Sequence, residues 1–150
     1  MQRYLRPISI KKVIAFALLV TMLAVFSTSA MAAWHHDSHG WWWTESNGSY
    51  AAGMWRKING VWYAFGYDGY MLVGAYYIDG NLYNFDASGA MSTGWRFIDG
   101  DWYYFTSSGA AAMNRWVGNY YLGADGAMLT NTITPDGYLV GADGKWIPLQ

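Results

Sequence analysis

Apolar residues recur along this chain on two rhythms, alternation within short runs and a longer period of 20 residues. The runs Trp55 to Phe65, Ala75 to Phe85 and Trp95 to Phe105 are versions of one pattern. Ile58, Ile78 and Ile98 match, as do Tyr63, Tyr83 and Tyr103, and then Phe65, Phe85 and Phe105. Glycines keep the same beat at 60, 80 and 100 and again at 69, 89 and 109. At so short a period one unit is too small to bury its own apolar face, so neighbours must stack to complete a core.

Each run divides at Asn59-Gly60, Asp79-Gly80 or Asp99-Gly100. These pairs tolerate the positive φ of a type I′ turn, so each run is expected to fold as a β-hairpin. Register follows from the turn. Alternation puts Trp95, Phe97, Trp102 and Tyr104 on one face of the third repeat and Arg96, Ile98, Tyr103 and Phe105 on the other. The first repeat divides into Trp55/Lys57/Trp62/Ala64 and Arg56/Ile58/Tyr63/Phe65, the second into Ala75/Tyr77/Leu82/Asn84 and Tyr76/Ile78/Tyr83/Phe85. The Ile/Tyr/Phe set never changes, which is what stacking requires, and is expected to form the core. The opposite face, which varies from two tryptophans to none, is expected to be where function lives.

The expected fold class is therefore all-β, a solenoid of stacked β-hairpins of about 20 residues with degenerate terminal caps. Trp34-His35-His36-Asp37-Ser38-His39 is polar and aperiodic and reads as a linker over 33–39, with solvated histidines rather than metal ligands. A degenerate unit, Gly40-Trp41-Trp42-Trp43 with a turn at Asn47-Gly48, opens a repeat domain spanning 40–150. Toward the C-terminus, Trp116-Val117-Gly118-Asn119-Tyr120-Tyr121 reads as a shortened hairpin, and Thr134 to Trp146 as a final cap.

The N-terminus adds a different signal. Arg3, Arg6, Lys11 and Lys12 precede an uncharged apolar run, Val13 to Phe26, and an Ala30-Met31-Ala32 site, the layout of a secretory signal peptide over 1–32. That run is shorter than the roughly 20 residues of a transmembrane helix, so no membrane span is expected after cleavage. Beyond it only five of the nine basic residues remain, against ten acidic ones. Nucleic acid is thereby disfavoured as a partner, since phosphate binding needs clustered Lys and Arg. With no cysteine, an exported chain must hold together without disulfides or thiolate-bound metal. All but three of the 29 aromatic residues lie beyond position 32, more than so small a core can hide, so some should be exposed for a reason.

Catalysis finds little support. Six of the nine aspartates directly precede glycine and are turn formers first, and Glu45 is the only glutamate. No nucleophile, base and carboxylate set stands out, and nothing pairs Asp86 with Asp101. Neither an enzyme nor a cofactor is expected.

Gly94-Trp95, Gly100-Asp101-Trp102-Tyr103-Tyr104-Phe105 and Gly109 together resemble the choline-binding and glucan-binding repeats of Gram-positive surface proteins. Gly60-Val61-Trp62-Tyr63-Ala64-Phe65 and Gly80-Asn81-Leu82-Tyr83-Asn84-Phe85 are weaker versions. The resemblance implies a hairpin solenoid in which choline sits in a cage of two aromatics from one repeat and one from the next. Carried over, the pairs are Trp55 with Trp62 and Trp95 with Trp102, closed by Tyr77 and Tyr120 respectively. Ala75 and Leu82 leave the middle repeat without its pair. The implied role is a secreted, cell-wall-associated, non-catalytic attachment module for choline on teichoic acids. A polysaccharide (glucan) module and a self-associating structural spacer are the alternatives.

The chemistry of a quaternary ammonium agrees. It has no N–H to donate and is weakly hydrated, so aromatic faces worth roughly 0.5–2 kcal/mol each suit it. Three such walls give on the order of −4 kcal/mol, about millimolar affinity, and useful attachment then needs several sites on one polymer.

Overall fold

The computed structural model of the protein describes residues 31–148. The expected leader lies outside the described residues apart from Met31 and Ala32. Among the described residues, twelve short strands pair only with their sequence neighbours, giving six antiparallel hairpins and an all-β repeat fold. The first hairpin joins β1 (Ala33–His36) to β2 (Trp41–Thr44), and the second β3 (Met54–Ile58) to β4 (Val61–Phe65). The third joins β5 (Gly74–Ile78) to β6 (Asn81–Phe85), and the fourth β7 (Gly94–Ile98) to β8 (Asp101–Phe105). Shorter ones follow, β9 (Arg115–Val117) with β10 (Tyr120–Leu122) and β11 (Thr132–Ile133) with β12 (Leu139–Val140). Among the described residues no helix is long and apolar enough to cross a membrane.

The turns and register of the three central hairpins follow the sequence. Asn59, Asp79 and Asp99 take φ of 51°, 49° and 50°, each followed by a glycine also at positive φ. Trp95 faces Tyr104, Arg96 faces Tyr103 and Phe97 faces Trp102, as the turn position requires.

Residues 33–36, expected as part of a linker, are instead a strand. His35 stacks on Trp42 (5.3 Å, 15° between ring planes) and His36 lies 4.7 Å from Trp41, so these histidines are cross-strand partners of tryptophans. Asp37 shapes the connection, its Oδ1 accepting from the N–H groups of His39 (2.8 Å) and Gly40 (3.2 Å). That geometry replaces the missing Asn-Gly signal.

Backbone hydrogen bonds build the array. After each second strand the chain turns back and pairs with it, as at Phe65 with Met71, Phe85 with Met91, and Phe105 with Ala111. The same returning segment donates to the preceding hairpin: Met71 N to Trp41 O (2.7 Å), Met91 N to Trp62 O (2.9 Å), Ala111 N to Leu82 O and Met128 N to Trp102 O (both 2.8 Å). Arg56 Nε donates to Glu45 Oε1, so an ion pair also bridges the first two hairpins.

The core keeps the expected phenylalanines: Phe65, Phe85 and Phe105 are buried. It differs from expectation in taking residues of the other face as well. Ala64, Leu82 and Asn84 are buried beneath the returning segments, where Leu72 N bonds Ala64 O and Ser92 N bonds Asn84 O. The buried Asn84 amide is satisfied by Ser92 Oγ at 2.8 Å. Tyr63, Tyr83 and Tyr103 are only half-buried. Hairpins thus stack front to back, the tryptophan face of one against the tyrosine face of the next, and both faces are partly interior.

Candidate functional site

Front-to-back stacking brings the aromatic pair of one hairpin against a recurring tyrosine of the next. Trp95 and Trp102 lie 6.4 Å apart at 79°, and Tyr120 stands 5.3 Å from Trp95 at 75°. Met128 completes a cavity of about 400 Å³, with Asp143 at its rim. All three residues expected at this site are together.

The same arrangement holds at Trp55 and Trp62, which line a cavity of about 210 Å³ with Tyr83 and Met91. The ring beside the pair is Tyr83, 4.8 Å from Trp55, and not Tyr77. Tyr77 faces Leu82 across its hairpin and is 64 % exposed. It shares the tryptophan face of its own repeat, and that face points toward the following hairpin, away from Trp55. Tyr83 projects from the opposite face of β6, the one turned toward the second hairpin.

Two further aromatic clusters were absent from the sequence expectation. Trp34 and Trp41, 6.4 Å apart, line a cavity of about 360 Å³ with Tyr63 and Met71, Tyr63 lying 5.0 Å from Trp34. A readable signal existed: Trp34 and Trp41 stand seven positions apart, as do Trp55 and Trp62 and again Trp95 and Trp102. The second cluster, about 290 Å³, is formed by Trp116, Tyr138 and Trp146, with Asp136 and Asn119. Here the hairpin is too short for a second tryptophan. Trp146 instead occupies the place of Met128, its N–H bonded to Asn119 O as Met128 N is to Trp102 O.

The third hairpin breaks the series. Ala75 and Leu82 stand where the pair would be and Ala111 where a methionine would be, although Tyr103 is in place below them. Glycine sets the tight fit beneath three of the cages: a Cβ on Gly89, Gly109 or Gly144 would collide with the thioether of Met71, Met91 or Met128 respectively.

Charge distinguishes the cages. The first two have Ser88 and Ser107/Ser108 at their rims. The fourth-hairpin cage has Asp143, itself 3.9 Å from Lys145 Nζ. In the last, Asp136 accepts from the Thr134 hydroxyl (2.6 Å) and from the Trp116 indole N–H (2.8 Å). Those two bonds, Thr134 first, hold its carboxyl below the usual range, so it presents an anion to the cavity. Among the described residues no cluster of three His, Cys, Asp or Glu side chains could hold a metal ion.

Aromatic walls with scarce polar donors suit a weakly hydrated organic cation, and the comparisons agree. A choline-binding repeat model matches residues 51–93, a putative cell wall binding repeat model residues 93–111, and a second choline-binding repeat model residues 110–146. No curated protein sequence matches the chain. Among solved structures, the choline-binding domain of CbpL from Streptococcus pneumoniae is 34 % identical, with a TM-score of 0.59, over 79 % of this chain and 77 % of that one. Choline binding protein F from Streptococcus pneumoniae is 32 % identical (TM-score 0.56) over 79 % of this chain. The cell wall endolysin of phage Cp-1, complexed with choline, is 32 % identical (TM-score 0.59) over 81 % of it. The chain spans only 48 % of choline binding protein F and 39 % of the endolysin. With four tryptophan-and-tyrosine cavities strung along stacked hairpins, and these repeat models covering the chain from residue 51 to residue 146, this chain belongs to the choline-binding repeat family of cell-wall-binding proteins.

Proposed function

We propose that the protein is a non-catalytic attachment module that holds choline substituents of teichoic acid at the bacterial surface, one choline in each aromatic cage. The observation that supports this most directly is that a tryptophan pair and a tyrosine from the next hairpin recur at three junctions, and that a fourth reaches three rings by another route. A fold needs no such pairs for stacking, because the third hairpin stacks without one. Each cage alone would be of about millimolar strength, so hold on a surface comes from simultaneous occupation along one polymer. The protein should be retained on a choline resin and released by free choline at tens of millimolar. Retention on insoluble glucan instead, with no response to choline, would overturn this reading.

The broken junction gives a sharper check. Ala75→Trp with Leu82→Trp restores the pair above Tyr103, and Ala111→Met restores the floor. Calorimetric stoichiometry for choline should rise by one in this variant. Leu82 is buried, so some overpacking is expected, about 1–3 kcal/mol. A folded variant with unchanged stoichiometry would refute the cage geometry.

A further inference from the structure

Each of the first two cages draws on three successive hairpins. The tryptophan pair comes from one, the tyrosine and methionine from the next, and a rim residue from the turn after the second strand of the third. For the first cage these are Trp34 and Trp41, then Tyr63 and Met71, then Ser88. For the second they are Trp55 and Trp62, then Tyr83 and Met91, then Ser108.

Run backwards by one hairpin, this register specifies a position ahead of β1. Trp42 then takes the place of Tyr63. Tyr50 takes that of Met71: it bridges Thr44 as Met71 bridges Phe65, and Ala51 N bonds Trp43 O (3.0 Å) as Leu72 N bonds Ala64 O (2.9 Å). The rim residues would come from the turn at Tyr67 and Asp68. These groups do meet, lining a cavity of about 430 Å³ with Asp37 and Tyr70.

Among the described residues no hairpin precedes β1, so this position has no tryptophan pair. It has another ring instead. Where the turns of later hairpins carry Ala87, Ser107, Ala124 and Ala142, this turn carries Tyr67. Tyr67 is 98 % exposed, so packing does not explain it. Its ring nonetheless lies close over Gly53, where a Cβ would stand 2.8 Å from Cδ1. Nearby, Asp37 Oδ2 accepts from the Tyr70 hydroxyl (2.9 Å), and Asp68 Oδ1 accepts from Tyr70 N (3.1 Å).

We propose that this end of the array is an additional binding site for a small alkylammonium cation, held among the rings of Trp42, Tyr50 and Tyr67 and facing the carboxylates of Asp37 and Asp68. It rests on the reading of the cages as cation sites, but uses none of their residues. Unlike the first two cages it pairs rings with two carboxylates, so it discriminates a cation from a neutral molecule of the same shape.

The indole N–H resonance of Trp42, assigned by its loss in Trp42→Phe, reports the site in the full chain. Tetramethylammonium at tens of millimolar should shift it saturably, and 3,3-dimethylbutan-1-ol, a neutral isostere of choline, should not. Tyr67→Ala, which gives this turn the residue found at Ala87, should weaken the Trp42 response at least severalfold while the Trp102 indole titrates as before. A silent Trp42 beside a titrating Trp102 overturns this site alone, as does an unaltered Trp42 response in Tyr67→Ala or an equal response to the alcohol. If no indole responds to either tetramethylammonium or choline, the cage reading falls with it.

Discussion

Phe85→Ala should lower the free energy of unfolding by about 3–5 kcal/mol, the range for truncating a fully buried phenylalanine. Phe85 is 1 % exposed and carries contacts in two directions, Trp55 of the preceding hairpin at 5.4 Å and Tyr76 of its own at 6.4 Å. Removing it opens a cavity at a junction that neighbouring hairpins need for their own burial, so the loss should appear as one cooperative shift. Phe97→Ala is the internal control. That ring is 60 % exposed on the same kind of hairpin, and its removal should cost less than about 1 kcal/mol. Denaturant unfolding of the two variants decides the matter. A small loss in Phe85→Ala would place the core elsewhere.

Trp102→Ala should have the largest effect on binding with little on the fold. Trp102 is 44 % exposed, its ring lies beside Trp95 and Phe97, and its link to the next hairpin is through its carbonyl oxygen, which the substitution keeps. Loss of one aromatic wall is worth roughly 0.5–2 kcal/mol, so affinity at this cage should fall about 10-fold. The Trp95 indole signal, titrated with choline, isolates this cage from the others. An unchanged midpoint there would exclude Trp102 as a wall.

The N-terminal unit shows why its first strand reads as a linker. The distance from Trp34 to Trp55 is 21 residues rather than 20, and its turn is made by an Asp37 side chain instead of Asn-Gly. Two histidines also occupy β1, and polarity argues for a loop until their rings are seen against Trp41 and Trp42. At the other end, Trp146 stands 30 residues from Trp116 and enters the last cage from a returning segment. No periodicity in the chain connects those two residues.

Local chemistry by itself determined the hairpins. Asn-Gly and Asp-Gly fix the turns, the turns fix the register, and alternation then sorts Trp95 with Trp102 and Ile98 with Phe105. It also determined that Phe65, Phe85 and Phe105 are core, because only a residue needed by every junction keeps its place in every repeat. What alternation cannot say is which face of one hairpin meets which face of the next, because that relation is set by packing between units and not within them. Front-to-back stacking decided it. It placed Tyr83 rather than Tyr77 beside Trp55, buried Ala64 and Asn84 on the face opposite the expected core, and joined Trp42, Tyr50 and Tyr67 at an end where the sequence shows three unrelated aromatics.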